Sequence, residues 1–76
     1  MNKKDFRKKL GLKLKIKRME TDLSQDDIAT KANFSLAFLS DVERGKKGVS
    51  LYYFIKLAKV LDLDLNDFFA EFSGLE

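Results

Sequence analysis

The sequence predicts an all-α fold, a compact bundle of five helices forming a single domain over residues 1–76. Three observations carry this. Apolar residues recur every three or four positions along most of the chain, and no stretch alternates with the period of two that a half-buried strand requires. Ser24, Ser35, Ser50 and Asp64 each stand immediately ahead of such a periodic segment, where a helix N-cap belongs. There is no proline to break a helix, and the 76 residues suffice for one small core, burying roughly 60% of the unfolded surface.

The first helix is expected from about residue 4 to residue 19 or 20. Phe6, Leu10 and Leu14, at i, i+4 and i+8, give it one apolar stripe. Gly11 inside it costs about 1 kcal/mol against alanine, so the position is either a close approach of another element or a tolerated exception. Residues 23–45, LSQDDIATKANFSLAFLSDVERG, encode two short helices around a tight turn. Ser24 caps the first, with Asp27 three places on able to reach back as a capping box, and Ile28, Ala29 and Ala32 form its inward face. Asn33 stops it, because asparagine tolerates the left-handed backbone that such a turn needs, and Phe34 falls into the core. Ser35 caps the second, whose inward face is Phe38 or Leu39 with Val42, and Gly45 ends it. A loop of Lys46, Lys47, Gly48 and Val49 leads to Ser50, the cap of a fourth helix over 51–61. Phe54 or Ile55, Leu57, Ala58 and Leu61 are spaced for burial on it. Asp64 caps a fifth helix over 65–72, with Asp67 favoured in its first turn by the helix dipole and Gly74 marking its end. No linker, repeat or low-complexity segment is present.

Composition excludes several function classes. Without cysteine or histidine there is no disulfide framework, no thiolate site and no common zinc-ligand set, and a reducing cytoplasm suits the chain. Lys13, Lys15, Lys17 and Arg18 interrupt every apolar run near the amino terminus, so neither a signal peptide nor a membrane span of about 20 apolar residues is expected. Acid–base chemistry would fall to carboxylates and lysines that sit on caps and exposed faces. The chain is therefore not expected to be an enzyme, and no cofactor, metal or small-molecule ligand is evident. Charge is unevenly divided: nine Lys and Arg against two acids over residues 1–21 (+7), four against five over 22–50 (−1), and two against five over 51–76 (−3). A basic end turned toward phosphate would use this asymmetry, although a lysine-rich helix is as readily a solvated face.

Taken together, Arg18, Leu23-Ser24-Gln25, Ile28-Ala29, Lys31-Ala32, Ser35, Leu39-Ser40, Val42-Glu43-Arg44-Gly45-Lys46, Ser50-Leu51, Leu57-Ala58-Lys59-Val60-Leu61 and Leu65-Asn66-Asp67-Phe68-Phe69 resemble the Cro and phage-repressor type of helix-turn-helix, also called the xenobiotic-response-element type. The resemblance spans roughly residues 10–69, with the motif at about 24–45. It implies a lambda-repressor-like DNA-binding domain that acts as a sequence-specific transcriptional regulator on double-stranded DNA. The helix over 36–44 would enter the major groove while the preceding helix crosses the backbone. It also implies that Ser24 and Gln25 face a phosphate, and that Arg18 pairs with Glu43 and can itself reach phosphate. Arg44, Lys46 and Lys47, with the backbone N–H groups of Gly48 and Val49, would grip the next phosphate. Within the family, the Gly48-Val49-Ser50-Leu51 loop and the Asp67-Phe68-Phe69 ending look like the controller proteins of restriction-modification systems, which are small stand-alone dimers. Those carry a polar Arg-Thr-Tyr-Ile run where this chain has Leu36-Ala37-Phe38-Leu39.

Ser35, Leu36, Ala37, Ser40 and Asp41 match the family's base-reading positions, and none is the Arg, Lys, Asn or Gln that contacts purines in bidentate fashion. Leu36 and Ala37 can touch thymine methyl groups, and Asp41 can accept from a cytosine amino group while repelling phosphate. Two readings follow. One is a DNA binder relying on phosphate contacts and DNA shape; the other is a helix-turn-helix scaffold used as an antitoxin-like or anti-repressor interaction module. Beside the expected inward residues Phe54, Leu57, Leu61 and Leu65, the carboxyl-terminal part has a surplus of large apolar side chains: Val49, Tyr52, Tyr53, Phe68, Phe69, Phe72 and Leu75. A homodimer through Tyr53, Phe69 and Phe72 is therefore expected.

Overall fold

A computed structural model describes residues 1–73. Among them there are five α-helices and no strand: α1 (Lys3–Glu20), α2 (Gln25–Lys31), α3 (Leu36–Glu43), α4 (Leu51–Val60) and α5 (Leu65–Ala70). Gly74 and Leu75, the expected end of the last helix and one of the surplus apolar residues, lie outside the described residues.

Each helix starts where a side chain can satisfy a backbone N–H that the helix itself leaves open. Ser24 Oγ accepts from Asp27 N and the Asp27 carboxylate accepts from Ser24 N, both at 3.0 Å, completing the capping box. These hydrogen bonds favour the charged form and hold the Asp27 carboxyl below its ordinary pKa, the backbone N–H of Ser24 being the main cause. Ser35, Ser50 and Asp64 cap α3, α4 and α5 in the same way. Asn2 caps α1 by accepting from Asp5 N, so this helix begins one residue earlier than its apolar stripe suggests. The turns close on left-handed residues at Asp22, Asn33 and Asp62, with φ of 60°, 53° and 52°, and at Gly45 with φ of 75°.

Leu10, Leu14, Ile28, Ala32, Leu39, Val42, Phe54, Leu57, Leu61 and Phe68 make the core, drawing on all five helices. The two open choices resolve to Leu39 and Phe54. Phe38 is only partly buried, tilted against Phe34 and edge-on to Tyr53 at ring distances of 5.1 and 6.3 Å, and Ile55 faces solvent. Phe34 itself packs against the core's edge rather than inside it. On α5 the expectation is corrected twice. Leu65 is exposed, whereas Phe68, counted above as surplus, is 1% exposed at the centre of the core, 5.8 Å from the Phe54 ring. Leu65 is the first residue of a six-residue helix and stays in solvent; Phe68, one turn on, meets the core. The helix also stops at Ala70, two residues short of the expected end.

Gly11 is the closest seam of the fold. A Cβ there would lie 2.1 Å from the Val42 carbonyl oxygen and 2.8 Å from that of Glu43, so α1 and the last turn of α3 meet backbone to backbone. Gly45 continues the seam, its missing Cβ falling 2.7 Å from Lys8 Cα. The amino-terminal half of α1 is thereby laid along the end of α3.

Candidate nucleic-acid interface

The motif's two helices are locked by one buried carboxylate. Glu43, whose side chain is 2% exposed, accepts from Arg18 Nε at 2.7 Å and Nη2 at 3.1 Å. It also accepts from Gln25 Nε2 at 2.9 Å, and Arg18 Nη1 donates to the Leu23 carbonyl at 3.0 Å. A buried charge is tolerated only when paired and hydrogen-bonded, and here a forked guanidinium and an amide do both. The arrangement fixes the end of α1, the start of α2 and the end of α3 as one unit. Because a carboxylate only accepts, the Gln25 amide nitrogen must face Glu43, and its second N–H stays available to an outside acceptor. The Gln25–Glu43 bond spans 18 residues of sequence and had no local signal.

On α3, Leu36 and Ala37 are exposed, and Ser40 and Asp41 are partly covered. Asp41 is not a bare charge: its carboxylate accepts from Arg44 Nη2 at 3.0 Å and pairs with Lys47 Nζ at 3.5 Å. Lys47 also lies 5.7 Å above the Phe38 ring. Ser35 Oγ is occupied as an acceptor in the cap at 3.1 Å, leaving its O–H as donor. Lys46 is exposed and makes no ion pair among the described residues. The structure thus brings Arg18 and Gln25 together through Glu43, and Arg44 and Lys47 together through Asp41, both carboxylates belonging to the last turn of α3.

The model of the family described as helix-turn-helix matches residues 14–68. The chain belongs to the helix-turn-helix family. It is 32% identical over 68 residues, 88% of its own length and 92% of the relative, to the control protein C.MunI from a Mycoplasma species. To the ImmF control region 10 kDa protein of Bacillus phage phi105 it is 39% identical over 59 residues, 78% of this chain and 66% of that protein. Among solved structures, the restriction-modification controller protein C.AhdI from Aeromonas hydrophila superposes with a TM-score of 0.80 at 32% identity, covering 86% of this chain and 98% of that one.

For this helix-turn-helix chain, the basic first helix is less uniformly free than its count implies. Lys13 pairs with Glu71 at 3.1 Å, Lys9 donates to the Glu71 carbonyl, and both lie over the Phe72 ring. These two cations hold the carboxyl-terminal end down, while Lys3, Lys4, Arg7, Lys8 and Lys15 make no ion pair among the described residues.

The residues expected at a dimer interface, Tyr53, Phe69 and Phe72, take part in two sets of ring contacts. Tyr53 packs edge-on against Phe34 at 4.9 Å, whereas Phe69 and Phe72 pack with Phe68, and Phe69 also lies 5.5 Å from the Phe54 ring. Phe72 is partly covered by Phe6 at 5.2 Å. On α4 and α5 the large apolar side chains left uncovered are Leu51, Tyr52, Ile55, Leu65 and Phe69. Leu51 and Phe69 border a common hollow of about 230 Å³ with Phe6, Leu10, Val49 and Phe54. Leu51 and Ile55 stand at i and i+4, a spacing that marks a second apolar stripe on α4 in the sequence. No helix among the described residues is long and apolar enough to cross a membrane.

Proposed function

We propose that this chain is a DNA-binding transcriptional regulator that binds duplex DNA as a homodimer, with α3 in the major groove. The observation that carries the reading is the Arg18–Glu43–Gln25 lock. It holds the start of α2, where Gln25 keeps a second amide N–H beyond the one given to Glu43, in fixed relation to the exposed side of α3, which is what simultaneous contact to phosphate and base edges requires. The likeness to control proteins of phage and restriction-modification origin supports it. In this reading Ser24, Gln25, Arg44, Lys46 and Lys47 contact the backbone, and Ser35, Leu36, Ala37, Ser40 and Asp41 face the bases. The exposed Leu51, Ile55, Leu65 and Phe69 supply the dimer surface together with the Phe72 edge. A two-fold pair places its α3 helices about 34 Å apart, one turn of DNA, and doubles a modest set of base contacts.

The second reading, an interaction module, is favoured by the exposed Leu36 beside Ala37 and by the absence of a purine-reading side chain on α3. Fluorescence anisotropy separates the two, using the duplex upstream of the chain's own gene and a random duplex at two salt concentrations. A regulator binds the upstream duplex more tightly, and Asp41→Ala changes preference at one base pair by roughly 1 to 3 kcal/mol. Equal binding to both duplexes with a steep salt slope leaves only a generic basic surface.

A further inference from the structure

Arg7 shares the α3-facing side of α1 with Gly11, Leu14 and Arg18, at i, i+4, i+7 and i+11. The glycine seam presses this part of α1 against the end of α3, so the Arg7 side chain emerges where α3 gives way to the following loop. Its Cδ lies 3.7 Å from where a Cβ of Gly48 would be. There the Nε is sealed from solvent without a hydrogen-bond acceptor. A guanidinium N–H buried without a partner is costly, and nearly all such groups in folded proteins find one. The side chain borders an open hollow of about 340 Å³, with Met1, Asn2, Lys3, Phe6 and Gly48 also in its lining. Among the described residues, no carboxylate lines it. Asp5 lies two residues from Arg7, on the opposite side of α1, and Asp41 is taken by Arg44 and Lys47. Arg7, with its Nε–H left without an acceptor, and Lys3 thus border a space in which the described residues place no carboxylate.

We propose that Arg7 and Lys3, bordered by Gly48, form a phosphate site that extends DNA contact from the motif onto the first turns of α1. The proposal rests on the DNA-binding reading above and adds to it a phosphate beyond the recognition helix. Lys46, Lys47 and Gly48 follow α3 after Arg44 and Gly45, so a backbone running past that end of the helix meets the loop that Arg7 touches. No ion pair or hydrogen bond has to be broken for the Arg7 side chain to turn toward a phosphate oxygen, and turning gives its Nε the acceptor it lacks. Glycine at 48 keeps the hollow open.

The test is anisotropy titration of the full chain with short cognate and random duplexes at several salt concentrations, beside thermal melts. Arg7→Gln should weaken binding to both duplexes by roughly tenfold and lower the salt slope by about 0.9, the value of one phosphate, with an unchanged melt. Gly48→Glu has room for its side chain and places a carboxylate against the guanidinium, so it should weaken binding at least as much. Arg7→Lys should keep the salt slope. In NMR, the Arg7 Nε–Hε resonance should move on adding duplex. Parent-like binding by both Arg7→Gln and Gly48→Glu, with Gln25→Ala impaired, overturns this site and leaves the DNA-binding reading intact. A resonance that moves with millimolar inorganic phosphate but not with duplex makes it a free-phosphate site and also overturns the proposal. A parent chain that binds no duplex removes both readings.

Discussion

Replacing Gly11 by alanine sets two effects of opposite sign against each other, and the geometry decides between them. In a solvent-exposed helix the change gains about 1 kcal/mol, because alanine loses less backbone entropy. Here the added Cβ would meet the Val42 carbonyl oxygen at 2.1 Å and the Glu43 carbonyl at 2.8 and 2.9 Å, where real Cβ contacts stay beyond 3.0 Å. The atoms in the way are backbone, so no side chain can rotate aside; α1 and α3 must part by about 1 Å, which also strains the Arg18–Glu43 fork on the same seam. Overpacking a tight interior costs about 1 to 3 kcal/mol, and a displacement of two helix backbones belongs at the upper end. The net effect is a loss of about 2 kcal/mol, out of roughly 4 to 11 expected for a chain of this size. That corresponds to a fall in Tm of about 8 to 16 °C by circular dichroism. Gly48→Ala, where the nearest atom is a flexible side chain at 3.7 Å, serves as control and should melt within a few degrees of the parent. A Gly11→Ala variant as stable as the parent would refute the backbone contact and leave helix propensity as the whole account of the position.

Arg18→Ala leaves Glu43 buried with only Gln25 for a partner and should cost about 3 kcal/mol in urea unfolding; an unchanged midpoint would rule out a stabilising role for the Arg18–Glu43 pair. Phe69→Glu, at the centre of the uncovered α4–α5 face, should convert a micromolar dimer into a monomer by sedimentation equilibrium with little change in Tm, whereas a parent that is already monomeric excludes the dimer. The depressed pKa of Asp27 gives a stability contribution present above the unfolded carboxylate pKa and lost as pH falls through the lower folded value. Asp27→Asn should therefore flatten the acid side of the Tm–pH curve, and an acid limb identical to that of the parent would rule out this capping contribution.

What could be read in the sequence follows the range of the interactions involved. The caps at Ser24, Ser35, Ser50 and Asp64 and the stop at Asn33 are decided within about four residues, and all were legible. The Asn2 cap escaped because no apolar periodicity points to it. Choices between neighbours, Phe38 against Leu39 and Phe54 against Ile55, stayed open because adjacent residues lie 100° apart on a helix and both border its buried face; packing between helices settles them. The mistaken inward assignment of Leu65 and the surplus assignment of Phe68 have the same origin, since only the docking of α5 tells which of its turns meets the core. In the site, Arg18 with Glu43 was accessible through family resemblance, but the third arm, Gln25, joins them only in three dimensions. The Asp41–Arg44 contact at i, i+3 was available in the sequence, and it changes the meaning of Asp41 from an isolated repulsive charge to a largely neutralised one.

The side-chain caps also bear on how fast the chain comes together. Each helix start is marked by a residue no more than three positions from the N–H it satisfies, so every start is specified before any distant part of the chain has arrived. Helical domains dominated by such local contacts fold in microseconds to milliseconds, because little loop-closure entropy precedes the first stabilising contacts. With no proline in the sequence, no isomerisation lasting tens of seconds delays any molecule. Newly made or transiently opened copies thus expose their seven phenylalanines only briefly, leaving little opportunity for aggregation even though the finished fold keeps an apolar face uncovered.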